Sequence, residues 1–312
     1  MIFPKDFIET AEGLIFAVVD FGTEDHKVLC FLRYVKERQG WTKLQTKSAN
    51  TFLAQHFPHY LHYSQRLDAH LHAVPISAIA KHHQPKQRLQ QITQSKQNLD
   101  PVVQDLQQLC QLFVQHGLDL TQVGVTGSIL VDVQNQASDI DLVCYDRHVF
   151  HQCRSVNRKL IEQGLLQALN DHDWQAAYDR RSAQLSFAEY VWHERRKYNK
   201  GMINNRKFDL SYVSQLPEPA IEGFRKSGTI RLRAKVIEDV RAYDYPAKFK
   251  IKHEQISWVV CFTATYTGQA VKGEIIDVAG QLEINEQGQQ RIVVGSSREA
   301  HGEHIKVVSL DE

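Results

Sequence analysis

The sequence predicts an α+β protein: a central mixed sheet with helices packed on it, an N-terminal α+β region, and a small C-terminal β domain. Three observations carry this. Two acidic segments in the middle of the chain alternate in and out with a strand period. Helical spacing with cap signals flanks them. Short apolar runs punctuated by Gly fill both ends. The expected divisions are 1–95, 96–222 and 223–312. At 312 residues the chain is long enough for several cores.

The N-terminal region opens with a hairpin. Leu14 to Phe21 is one strand, Gly22 to His26 the turn, and Val28 to Val35 the return. Trp41 to Leu44 is a candidate third strand. Ser48-Ala49-Asn50 opens a short helix that stops near Pro58, and Tyr60 to His72 alternates weakly as another strand. His70 and His72 share a face of that strand, which permits a metal site. A histidine-rich polar surface accounts for the same residues, since no partner has ligand spacing. His82 to Leu99 is a polar helix or linker.

Asp100-Pro101 then gives an N-cap and a first-turn proline. Val102, Val103, Leu106, Leu109, Cys110, Phe113 and Val114 follow at helical spacing, and Gly117 closes the helix. This helix leads into Val123-Gly124-Val125-Thr126, a short strand ending in the turn Gly127-Ser128. After a ten-residue spacer Asp139-Ile140-Asp141-Leu142 begins a second strand. Neighbours in a strand point to opposite faces, so Asp139 and Asp141 share one. Two carboxylates held side by side repel, and a hard divalent cation between them relieves the repulsion. Gly127 lets a phosphate approach the backbone, and Ser128 offers a hydroxyl and an N–H. A phosphate cradle beside a dicarboxylate suits phosphoryl or nucleotidyl transfer.

Gly127-Ser128, the spacer and Asp139-Ile140-Asp141-Leu142 together resemble the signature of the DNA polymerase beta-like nucleotidyltransferase superfamily. The chain as a whole resembles a group of predicted nucleotidyltransferases, found mostly in archaea, with extra domains on both sides. The resemblance implies a third carboxylate on a later strand. Asp209, in the alternating run Arg206 to Val213, takes that place. It also implies magnesium or manganese held by Asp139, Asp141 and Asp209, and a nucleoside triphosphate docked on Gly127 and Ser128. One metal would activate an acceptor hydroxyl and the other would bind the triphosphate. Many superfamily members carry a basic residue just after the Gly-Ser pair. Here Ile129-Leu130-Val131 follows, so the phosphate charge must be met elsewhere.

Asp146 to Gln163 and Asp171 to Arg181 have helical patterns. Ser186 to Glu189 fits a capping box opening a further helix towards Asn199. Its end carries Arg195, Arg196, Lys197 and Lys200. Two readings of this cluster compete: cations that complement a helix C-terminus, or cations that neutralise triphosphate, with Lys207 added from just before Asp209. Pro217-Glu218-Pro219 punctuates the end of the central part. Glu222 to Lys235 is a basic candidate edge strand. Ile256 to Phe262, Gly273 to Ile284, Arg291 to Val294 and His304 to Val308 suggest a small barrel or a packed sheet. The polar loops Ser296-Ser297-Arg298-Glu299 and His301 to His304 hold candidate ligands without the spacing of a helical zinc motif.

A net charge of +1 excludes a global basic field, so any nucleic-acid partner needs a local patch. The five cysteines lack Cys-x-x-Cys spacing and are expected to be reduced, buried thiols of a cytoplasmic protein. No apolar run approaches membrane-spanning length. The expected activity is metal-dependent transfer of a nucleoside monophosphate to a hydroxyl acceptor, with RNA a candidate partner. The rivals are a non-catalytic nucleic-acid-binding or regulatory protein that keeps the fold, and a toxin-like enzyme that modifies tRNA or protein.

Overall fold

The computed structural model describes residues 1–95, 100–181, 184–215, 223–296 and 300–308. Pro217-Glu218-Pro219 and Ser297-Arg298-Glu299 lie outside the described residues. The described strands form three sheets, one in each predicted part. The chain divides into two compact units. One comprises Met1–Gln65, Ala69–Gln167 and Gly201–Pro217; the other comprises Arg66–Asp68, Ala168–Lys200 and Glu218–Glu312. The first two sheets thus share a unit, and the helices expected to belong to the central part cluster with the C-terminal sheet.

The N-terminal sheet has seven strands: β1 (Phe7–Thr10), β2 (Leu14–Val18), β3 (Lys27–Glu37), β4 (Gly40–Lys43), β5 (Leu61–Ser64), β6 (Ala69–Pro75) and β7 (Ile79–His83). Their order is β5-β6-β3-β2-β1-β7, with β4 beside β3. The expected single strand over Tyr60 to His72 is in fact the β5–β6 hairpin with its turn. Both faces of the sheet are covered, which is why β2 reads as an unbroken apolar run. Leu14, Phe16 and Val18 pack with Ala49 and Leu53 of helix α1 (Thr46–His56). Ile15 and Ala17 point the other way, with Phe7 and Tyr34, onto Leu130 and Val131.

Within the same unit lie α2 (Pro85–Gln94), α3 (Pro101–Gln115), β8 (Val123–Thr126), α4 (Gly127–Leu130), β9 (Ile140–Cys144), α5 (Arg147–Glu162), β10 (Lys200–Ile203) and β11 (Arg206–Tyr212). The sheet order is β10-β11-β9-β8. Asp100 caps α3 by accepting from the Val103 N–H, and Asp146 caps α5 through Val149. Phe113 of α3 meets Phe208 of β11 edge to face, behind the sheet. Gly124 is required by close packing, since a Cβ there would come within 2.6 Å of Pro85. Asn204 and Asn205 both have positive φ and close the tight turn between β10 and β11.

The second unit holds α6 (Asp171–Asp179), α7 (Phe187–Arg195), β12 (Arg225–Glu238), β13 (Ala247–Lys252), β14 (Ile256–Cys261), β15 (Ile275–Ile284), β16 (Gln290–Val294) and β17 (His304–Val308). The expected capping box is present on α7, which ends at Arg195 instead of running towards Asn199. Strand β12 pairs with both β13 and β15, so it closes a barrel in the order β12-β13-β14-β16-β15 and is no edge strand. The one parallel pairing in that ring is β14 with β16. Val236, Phe249, Ile251, Val259, Ile276, Val278 and Ile292 are buried and fill the ring.

Candidate metal and nucleotide site

The candidate site forms where β8, β9 and β11 lie side by side. Antiparallel pairing sets Thr126 opposite Asp141, and parallel pairing sets Asp209 opposite Asp141 on the other side. In-register neighbours point to the same face of a sheet, so the Asp141 and Asp209 side chains stand next to each other. The burial pattern of β11 confirms the face: Phe208, Leu210 and Tyr212 are buried, while Lys207, Asp209 and Ser211 alternate with them. Asp139 lies just before β9, exposed, on the same side of the pleat as Asp141. Arg206 anchors the segment before it, donating to the carbonyls of Gln136 and Ser138, each at 2.8 Å, and to Asp105 at 2.7 Å. Its guanidinium is therefore a clamp on the approach to Asp139.

Burial pushes the Asp141 carboxyl up to about 6, and the neighbouring Asp209 and Asp139 push in the same direction. Lys5 and Lys43 act the other way. A carboxylate that resists ionisation beside a second carboxylate is the electrostatic setting that a divalent cation relieves. Among the described residues, no three His, Cys, Asp or Glu side chains are gathered closely enough to hold a metal ion as a set. Asp141 and Asp209 are thus a pair with Asp139 at its exposed rim, and they fit a cation that takes its remaining oxygens from phosphate and water.

The Gly127-Ser128 pair opens the short helix α4 instead of a simple turn. Gly127 has φ 68°, and a Cβ on it would overlap the Asp141 carboxylate. Glycine is needed here on both counts. The Ser128 carbonyl accepts from the Val133 N–H at 3.1 Å, which folds the following segment back over the turn. Sequence reasoning missed Thr126, whose hydroxyl donates to the Lys5 carbonyl at 2.8 Å, and missed Lys5 and Lys43 themselves. Nothing in the motif announces residues supplied from so far away in the chain.

The remaining predicted residues divide. Lys207 stands on the carboxylate face of β11. Arg195, Arg196 and Lys197 lie in the second unit, each against a carboxylate: Arg195 with Asp171 at 2.8 Å, Arg196 with Glu274 at 2.6 Å, and Lys197 with Glu194 at 2.5 Å. Lys197 is 1% exposed and also donates to the Thr265 carbonyl. Burial lowers its ammonium to about 8 despite Glu194. Burial alone would raise Glu194, but Lys197 and Lys200 hold it well below the usual carboxylate range.

His72 is no metal ligand. It is buried, accepts from the Leu32 N–H at Nδ1 and donates from Nε2 to Asn50. All five cysteines are free and buried. No helix among the described residues is long and apolar enough to cross a membrane.

The chain is 34% identical to the uncharacterized protein MJ1086 of Methanocaldococcus jannaschii, over 97% of this chain and 98% of that protein. It belongs to the same family. No family model matches the chain, and no solved structure matches it.

Proposed function

We propose that this chain is a metal-dependent nucleotidyltransferase. It would move a nucleoside monophosphate from a nucleoside triphosphate to a hydroxyl acceptor and release pyrophosphate. The observation that carries the reading is the register of Thr126, Asp141 and Asp209 across three strands, with the Gly127 backbone against the Asp141 carboxylate. Asp141 and Asp209, with Asp139 at the rim, would hold magnesium or manganese. The ion would supply charge neutralisation on the phosphates and a more acidic acceptor hydroxyl. Gly127 and Ser128 would seat the phosphate chain. Asp209 would orient the acceptor hydroxyl and take its proton as the acceptor oxygen bonds to the α-phosphorus. The bond from that phosphorus to the bridging oxygen would break, and pyrophosphate would leave with the electron pair.

The barrel favours RNA as the acceptor. Its strand order, with the third and fifth strands parallel, is that of a five-stranded Greek-key barrel of the kind that binds oligonucleotides on the face of its second and third strands. That face carries Lys248, Lys250 and Lys252 of β13, with Lys250 over the ring of Trp258 at 5.8 Å. The non-catalytic reading draws on the same barrel, and on the carboxylate pairing of Arg195, Arg196 and Lys197. Transfer of label from each nucleoside triphosphate to total cellular RNA, with magnesium or manganese, decides between them. Label transfer that vanishes in an Asp139→Ala/Asp141→Ala variant supports the enzyme. Absence of both transfer and metal-dependent triphosphate binding supports the binding protein.

A further inference from the structure

The residues that follow Ser128 carry no charge: Ile129, Leu130 and Val131 are buried, and Leu130 and Val131 pack against the N-terminal sheet. We propose that this sheet supplies the missing charge: Lys5 and Lys43 bind the phosphate chain of the nucleotide over Gly127 and Ser128. This rests on the nucleotidyl-transfer reading and adds to it the residues that hold the triphosphate.

Two observations place them. First, the Thr126 hydroxyl donates to the Lys5 carbonyl, so Lys5 is tied to the residue directly before Gly127. The Lys5 backbone is itself fixed. Its N–H donates to Val18 at 3.0 Å, its φ is 77°, and Asp6 closes the turn around it by accepting from the Phe3 N–H at 3.0 Å. Second, Lys43 ends β4 in register with Tyr34. Tyr34 belongs to the apolar cluster that holds Leu130 and Val131, so β3 and β4 are docked on the helix that opens at Gly127. The sheet therefore brings two lysines to the end of β8, where the residues that follow Ser128 carry no charge. A lysine binds phosphate as a point charge and needs no fixed fork geometry, so two flexible stems on rigid anchors suit a polyphosphate chain.

The test uses inorganic triphosphate with magnesium as the probe, because it presents the phosphate chain without a base. Binding to the full chain is measured by calorimetry at fixed ionic strength for wild type, Lys5→Ala, Lys43→Ala, the double lysine variant and Asp139→Ala/Asp141→Ala. Each single lysine change is expected to weaken triphosphate binding about 10-fold and the pair about 100-fold. Lys5→Arg should restore most of the loss. Affinity for manganese alone, read by paramagnetic resonance, should stay the same or tighten in the lysine variants, because cations beside a metal site oppose the metal. Thermal melts identify any variant that has failed to fold, and Lys→Gln replacements then substitute for it. If the double lysine variant binds triphosphate like wild type while the aspartate variant has lost binding, the lysine proposal is wrong and the site reading stands. If wild type binds neither triphosphate nor any nucleoside triphosphate with either metal, the site reading fails and takes the lysines with it.

Discussion

At the scale of single residues, Asp141 and two histidines carry opposite pH signatures. The Asp141 carboxyl is raised to about 6, so its ionised form opposes folding above that pH, and acid relieves the opposition. Asp141→Asn should therefore melt at higher temperature than wild type at pH 7.5, without metal. The same variant should lose nucleotidyl transfer by about 10³-fold or more, because a metal ligand is worth several kcal/mol to the transition state. A variant that melts lower, or that keeps its activity, would count against the carboxylate pair. His72 and His193 run the other way. Burial lowers both to about 4. Each is locked in one neutral tautomer, His193 by donating to the Glu189 carbonyl and accepting from the Val307 N–H. The unfolded chain takes up protons near 6.5 and the folded chain does not, so each histidine costs stability as pH falls from 6.5 towards 4. By pH 5 the loss is about 2 kcal/mol per histidine, read from urea midpoints. In Asp141→Asn the opposing carboxyl is gone, and the acid loss should be steeper.

At the scale of elements, the helix ends divide between structure and chemistry. Asp100 caps α3, the helix that sets Phe113 against β11 behind the site. Asp100→Ala should destabilise the chain by about 1 kcal/mol and leave triphosphate affinity unchanged. The end of α7 is a different case. Lys197 is sealed between Glu194 and the Thr265 carbonyl, so Lys197→Ala should cost about 3–5 kcal/mol by leaving a buried carboxylate short of its partner. If it instead weakened nucleotide binding at unchanged stability, the structural role assigned here would be wrong. Gly-Ser turns and Asp-x-Asp strands are local patterns, and both could be found by reading along the chain. The pairing of Arg195 and Arg196 with carboxylates could not, although Glu194 stands only three residues before its partner Lys197. Glu274 is 78 residues from Arg196 and Asp171 is 24 from Arg195.

At the scale of the whole molecule, the chain joins two different kinds of equipment. One unit carries the carboxylate pair and the Gly127-Ser128 turn; the other carries a closed five-stranded barrel. If the barrel holds the RNA acceptor, Trp258→Ala should weaken single-stranded RNA binding by about 1–3 kcal/mol, the worth of one stacked base. Lys250→Ala should flatten the salt dependence of binding by about one unit of slope. Equal binding and equal slopes in all three proteins would remove the barrel from acceptor recognition.

What the sequence determined by itself was local. The caps at Asp100 and Ser186, the strand alternation around Asp141 and Asp209, and the apolar stripe of α3 are each read within a few residues, because side-chain period and backbone capping are short-range physics. Strand β13 was missed because its alternation, Ala-Lys-Phe-Lys-Ile-Lys, is half charged and looks like loop until a barrel buries one face. The closure of that barrel by β12, the two-sided burial of the N-terminal sheet and the arrival of Lys5 beside Thr126 were decided only in three dimensions. They depend on which surfaces meet after the elements form, and no spacing along the chain encodes that meeting.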